Sequence, residues 1–212
     1  MTRVAIIGAG ISGLACARQL VKAGVSVVVF DKGRGIGGRV ATRRAGDLQF
    51  DHGAPFVRAQ RDDFSALLTS LTGGGSAASW TDDKGVTWTV GSPAMSAIPK
   101  AMGVGLDVRL GTQILKVTAD QFGWHLHYGE TRYVATHIVV TVPKPQIAGL
   151  LDYAHPLVAQ LGDVKMEPGL TLMAAVSGSA PLIAKNLSDD PLALITCDTV
   201  SYTHLTLPTI YS

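Results

Sequence analysis

The chain has 212 residues, 47% of them hydrophobic and 16% charged, with a formal net charge of +2. That length allows one large domain, or one domain with part of a second, around a sizeable core. The near-neutral charge gives nucleic acid or an anionic membrane no handle, and no apolar run approaches the roughly 18 residues of a transmembrane helix.

The chain enters a strand directly, Val4 to Ile7, a short β-rich apolar run of the kind buried on both faces. No signal peptide is visible ahead of it, so cytoplasm is the default compartment. Gly8, Gly10 and Gly13 follow at GxGxxG spacing. In such a turn the first glycine permits the tight bend, the second lets backbone approach a pyrophosphate, and the third lets helix pack on strand. Ser12 to Ala23 then reads as a helix with Leu14, Ala17, Leu20 and Val21 on one face and Arg18 and Lys22 off it. Its N-terminus, at Ile11 and Ser12, aims free N–H groups and the positive dipole end at phosphate. Gly24 is expected to stop it. Val25 to Phe30 is the second strand, and Asp31 at its end can accept the two ribose hydroxyls of an adenosine. Strand, glycine turn, helix, strand and acid about 20 residues on form the context that makes a lone glycine motif informative.

To this point the pattern suits NAD and FAD equally. Gly33, Gly35, Gly37 and Gly38 then make a segment able to reach positive φ, where successive N–H groups can form an anion nest. Arg39 adds a planar fork for phosphate oxygens. Lys32, Arg34, Arg39, Arg43 and Arg44 form a local basic cluster. The run Asp31-Lys32 to Gly37-Gly38-Arg39 resembles the second phosphate-binding element of the flavin amine oxidase superfamily, where it contacts FAD. Simple nicotinamide dehydrogenases lack that element.

Residues 47–58, DLQFDHGAPFVR, resemble the flavin-facing segment of the renalase-like branch of that superfamily at Asp51, Gly53, Ala54 and Phe56. Pro55 departs from the usual Gln. The resemblance implies that Gly53 and Ala54 allow close approach to the flavin ring. His52 invites a catalytic or covalent-flavin role, but a loop His is more often solvated or hydrogen-bonded. Asp62 or Asp63 is expected to cap a helix to about Leu71, with Phe64, Leu67, Leu68 and Leu71 on one face. Gly73 to Ser79 reads as a linker. Trp80 and Val86 to Val90 alternate as strand, and their aromatics fit a substrate wall or an ordinary core. Ser92-Pro93 reads as the start of a helix, with Pro99 oddly placed inside it.

From Leu106 the chain reads as strands: Leu106 to Arg109, Thr112 to Thr118, Phe122 to Tyr128, and a buried run His137 to Val142. The resemblance implies that the backbone of Ile114 contacts the adenine and that the strand before Pro143 rejoins the Rossmann sheet. Gln146 to Leu151 starts a helix, and Leu170 to Val176 is expected to be a strand. Cys16 and Cys197 stand in no metal-ligand or CxxC spacing, so no redox disulfide is visible and Cys16 reads as a small core residue.

The fold expected is α/β: an FAD/NAD(P)-binding Rossmann-type domain over 1–60 and 104–150, with an interleaved, incomplete α+β substrate domain over 61–103 and 151–199. Residues 200–212 look like an artefactual tail on a truncated chain. The resemblance implies an FAD-dependent oxidoreductase that takes hydride from an amine or a reduced nicotinamide-type small molecule and is reoxidised by oxygen. A NAD-dependent dehydrogenase and a non-catalytic nucleotide-binding fragment are the other readings. No catalytic side chain is nominated and no metal site is expected.

Overall fold

The computed structural model describes residues 2–81, 85–175, 184–186 and 194–196. In chain order its strands and helices are β1 (Arg3–Ile7), α1 (Ile11–Lys22), β2 (Ser26–Phe30), β3 (Thr42–Ala45), β4 (Leu48–Asp51) and α2 (Asp62–Gly73), followed by β5 (Ala77–Thr81), β6 (Thr87–Gly91), α3 (Ala97–Gly103) and β7 (Val108–Arg109). Then come β8 (Lys116–Asp120), β9 (Gly123–Tyr128), β10 (Thr131–Ala135), β11 (His137–Val140), α4 (Lys144–Leu151), α5 (Pro156–Gln160), β12 (Ala184–Asn186) and β13 (Leu194–Thr196). The chain divides into two compact units, Met1–Gly38 with Met102–Leu170, and Arg39–Ala101 with the described residues from Thr171 onward.

The first unit is built on a four-stranded sheet in the order β11-β1-β2-β7, with every pair parallel. Parallel neighbours need crossovers, and α1 supplies the one between β1 and β2. Val4, Ala5, Ile6 and Ile7 are all buried, as a central strand covered on both faces requires. Leu14 and Ala17 of α1 are fully buried. Val21 departs from the expected face: it is 45% exposed, because the last helical turn, with Lys22, Ala23 and Gly24, opens to solvent. Gly24, at φ +77, ends the helix as expected. Its N–H bonds Val21 O and the Val25 N–H bonds Leu20 O, the paired closure of a Schellman motif.

A three-stranded antiparallel meander, β8-β9-β10, supplies the rest of this core. Val117, Leu126 and Ala135 cluster with Ala5, Ile7, Val28, Phe30, Ile114, Leu150 and Leu151. Phe30, fully buried, meets Tyr133 edge-on at 5.2 Å and Tyr128 at 5.8 Å, and the Arg109 guanidinium stands 5.5 Å from its ring. At the β8–β9 turn, Asp120 Oδ2 lies 2.9 Å from His125 Nε2. The His125 contact, then the Phe122 N–H, hold the Asp120 carboxyl below its ordinary range.

Several boundaries differ from expectation for local reasons. Thr112 to Ile114 are not strand: Gly111 N and Thr112 N bond Gly33 O and Asp31 O instead of a ladder partner, and β8 starts only at Lys116. Leu170 to Met173 carry no regular structure, and Leu170 and Leu172 are 100% and 86% exposed. Val176, Cys197 and the proposed tail lie outside the described residues.

In the second unit, β3 and β4 form a hairpin about Gly46-Asp47, and β5 pairs antiparallel with β6. The expected linker is cut short, because residues from Ala77 onward already pair in β5. Arg61, not an aspartate, is the N-cap of α2. Asp62 and Asp63 fall in its first turn, where negative charge complements the dipole. α3 begins at Ala97, not at Pro93, which leaves Pro99 in the first turn, where a missing N–H costs nothing.

Phe30→Ala should cost about 3–5 kcal/mol, since it empties the ring cluster. Urea unfolding of the variant beside the parent protein measures it.

Candidate nucleotide-binding site

The glycine turn lies at the C-terminal ends of β1 and β11. Its three glycines do different things. Gly8 takes φ +112, and a Cβ there would stand 2.6 Å from Thr141 Oγ1. A Cβ on Gly13 would overlap the Gly8 carbonyl oxygen. These two glycines are therefore required by packing alone. Gly10 is different: its backbone is extended, at φ -78 and ψ 177, and an added Cβ would meet nothing within 4 Å. It is the N-cap of α1 and offers no capping side chain. The first-turn amides of Ile11, Ser12 and Gly13 thus stand at a helix start without a side-chain acceptor, which suits an anion.

Asp31 closes the turn from the side. Its Oδ2 accepts the Ala9 N–H at 2.6 Å and its Oδ1 accepts the Gly33 N–H at 2.7 Å. Each oxygen keeps acceptor capacity beyond that one bond. Gly37 reaches the same turn: its N–H bonds Ala9 O at 3.0 Å, and it bridges Gly10 in parallel register. Gly37 and Gly38 have φ +134 and +57, whereas Gly33 and Gly35 do not use the positive-φ freedom expected of them. A Cβ on Gly38 would lie 3.5 Å from Gly10 Cα. The two glycine turns are therefore apposed, backbone to backbone. The Lys32 ammonium bonds Gln146 Oε1 at 3.0 Å and ties this loop to α4. Ile114 is 6% exposed, with its side chain in the core cluster.

The remaining predicted residues, Arg39, Gly53 and Ala54, belong to the second unit and are joined to one another. The Ala54 N–H bonds Arg39 O at 2.9 Å, and a Cβ on Gly53 would overlap that same oxygen. The Arg39 side chain is exposed. Asp51 is 6% exposed and accepts the Thr42 hydroxyl and the Met95 N–H, an internal anchor for the hairpin. His52 is half-buried, and its Nδ1 has no hydrogen-bond partner.

Thr141 is the residue that sequence reasoning undervalued. Its hydroxyl donates to Ile7 O at 3.0 Å and Gly8 O at 3.1 Å, and its N–H bonds Ile7 O at 2.9 Å. A hydroxyl residue just past an apolar strand, half-buried in the structure, was the available signal. Among the described residues no group of three or more His, Cys, Asp or Glu could hold a metal ion, and no helix is long and apolar enough to cross a membrane.

Fold and turn together define a Rossmann-like domain, and residues 6–71 match the model of the NAD(P)-binding Rossmann-like domain family. Over that stretch the chain is similar to flavin amine oxidases and their protoporphyrinogen oxidase homologues. It is 40% identical over 68 residues to a Mycobacterium tuberculosis protein described as a flavin-containing monoamine oxidase, AofH, a match spanning 32% of this chain and 15% of that one. It is 36% identical over 69 residues to protoporphyrinogen oxidase 2 of Arabidopsis thaliana, spanning 32% and 14%. A solved putrescine oxidase superposes with a TM-score of 0.60 at 16% identity, covering 71% of this chain and 60% of that one. A solved chain from Exiguobacterium described as a protoporphyrinogen oxidase gives 0.61 at 14%, covering 76% and 64%. The chain thus spans about a seventh of the curated relatives' length in the matched segment.

The geometry sets the cost of three substitutions. Gly13→Ala should lose on the order of 3 kcal/mol from backbone overlap, and a thermal melt should drop by about 6–12 °C. Gly10→Ala, with open space and permitted φ, should melt within a degree or two of the parent. Thr141→Val keeps the shape and removes the hydroxyl bonds, so it should cost about 1 kcal/mol in urea unfolding.

Proposed function

We propose that this chain is the dinucleotide-holding part of an FAD-dependent oxidoreductase of the flavin amine oxidase type, and within it of the renalase-like branch. The observation that carries the reading is Gly10: a glycine that neither packing nor backbone conformation requires, at a helix start without a side-chain cap. A phosphate approaching that backbone supplies the missing reason.

In this reading Gly8, Gly10, Ile11, Ser12 and Gly13 receive the pyrophosphate, Asp31 accepts the adenosine ribose with Lys32 beside it, and the backbone of Ile114 serves the adenine. Gly38 and Arg39 address phosphate from the second glycine turn. In support of that role, the Arg39 guanidinium makes no hydrogen bond or ion pair with other described residues, and Gly38 lies against Gly10. Gly53 and Ala54 serve the flavin side. FAD, when bound, supplies the hydride acceptor and its reoxidation by oxygen. The chain's part is to orient and hold. Asp31 and the Ala9 N–H keep the turn open to phosphate, and the small residues leave backbone bare where a ring must come close. The substrate is a small amine or a reduced nicotinamide-type molecule, met in the cytoplasm.

Protein purified from cells, then denatured, should release a flavin with the fluorescence and mass of FAD at about one per chain. Released NAD, or no nucleotide from a folded chain, counts against the reading. Gly10→Val should keep the fold and lower FAD occupancy at least tenfold, and unchanged occupancy would remove the pyrophosphate assignment.

A further inference from the structure

Val57 adds an isolated antiparallel bridge to β6 of the second unit's β5–β6 hairpin. Val57 and Thr89 exchange both backbone hydrogen bonds, at 2.8 and 3.0 Å. This antiparallel register places Arg58 opposite Trp88, and Phe56 one residue pair along on the same face. The side chains obey it: Phe56 meets Trp88 edge-on at 4.5 Å, and the Arg58 guanidinium lies 4.9 Å over the Trp88 ring. The other face is closed, since Thr89 is 2% exposed and its hydroxyl bonds Ser79, which reaches Thr72 of α2.

The ring face, by contrast, is at least partly open. Phe56 and Trp88 are half-buried and Arg58 is exposed. Arg58 makes no ion pair or hydrogen bond with other described residues. Among the described residues, Asp51 is engaged in the buried contacts to Thr42 and Met95, and Asp63 pairs with Arg61 at 3.5 Å. A guanidinium stacked on a ring has its plane fixed, while its in-plane N–H groups remain free to fork an oxyanion. The rings beside it offer faces and edges to a flat apolar group.

We propose that Phe56, Trp88 and Arg58 form a substrate subsite for a planar, ring-bearing oxyanion, a carboxylate or phosphate ester, and that Arg58 disfavours cationic amines there. This deepens the oxidoreductase reading and rests on it for calling the ligand a substrate.

The test is calorimetric titration of the full chain with phenylacetate, phenyl phosphate, phenylacetamide and benzylamine, and in parallel with FAD. Phenylacetate or phenyl phosphate should bind at least tenfold more tightly than phenylacetamide, and benzylamine should not bind measurably. Arg58→Gln should weaken the anion at least tenfold with FAD affinity and thermal melt unchanged, and Arg58→Lys should recover only part of it. Preference between the carboxylate and the phosphate ester identifies which oxyanion the fork takes. Benzylamine binding as tightly as the anions, anion binding untouched by Arg58→Gln, or a folded chain that binds FAD and neither anion overturns the proposal. Anion binding that depends on Arg58 in a chain that takes no FAD keeps the subsite and removes the oxidoreductase reading instead.

Discussion

One carbonyl oxygen, that of Gly8, occupies the place a side chain on residue 13 would need. Because nothing larger than hydrogen fits there, α1 starts almost in contact with the end of β1. The same oxygen accepts from Thr141, whose N–H and hydroxyl also reach Ile7 O. The ends of β1 and β11 and the start of α1 are thereby drawn to one point. This close approach accompanies the parallel register on both sides of β1 and the full burial of Leu14 and Ala17.

Asp31 shows how one side chain of the fold is also placed for the proposed site. Bonded to the amides of Ala9 and Gly33, it stabilises two bends of the chain that would otherwise leave N–H groups without partners. The carboxylate proposed to meet a ribose is therefore already oriented. Preorganisation of this kind lowers what a ligand must spend on ordering its site. Gly37 and Gly38 complete the arrangement, because only positive φ lets the second turn lie backbone against backbone on the first.

The second unit follows a comparable economy within itself. A single oxygen, Arg39 O, receives the Ala54 N–H and leaves no room for a side chain at 53. Asp51 takes the Thr42 hydroxyl and the Met95 amide, so the β3–β4 hairpin and the turn before α3 share one buried acceptor. The ring cluster of Phe56 and Trp88 rests on a sheet held from its other face by hydroxyls.

Sequence alone determined the strand–turn–helix–strand core, the helix stop at Gly24 and the acid at 31, whereas the return of the 137–140 run to the Rossmann sheet was implied by the family resemblance and its place beside β1 came from the tertiary structure. The first three are written locally, in a glycine that must bend, an apolar run that must be buried, or a period that must match. Tertiary structure alone decided which glycine is spare. Spacing treats Gly8, Gly10 and Gly13 as equals, but the atoms facing them come from Thr141 and from the turn itself, far apart in the chain or folded back on it. The same holds for Lys116 as the true start of β8, where Thr112 is drawn away to Asp31, and for the outward placement of Val21 and Leu170. Alternation and helical phase report which residues share a face. They do not report whether another part of the chain arrives to cover it, because that depends on contacts distant in sequence.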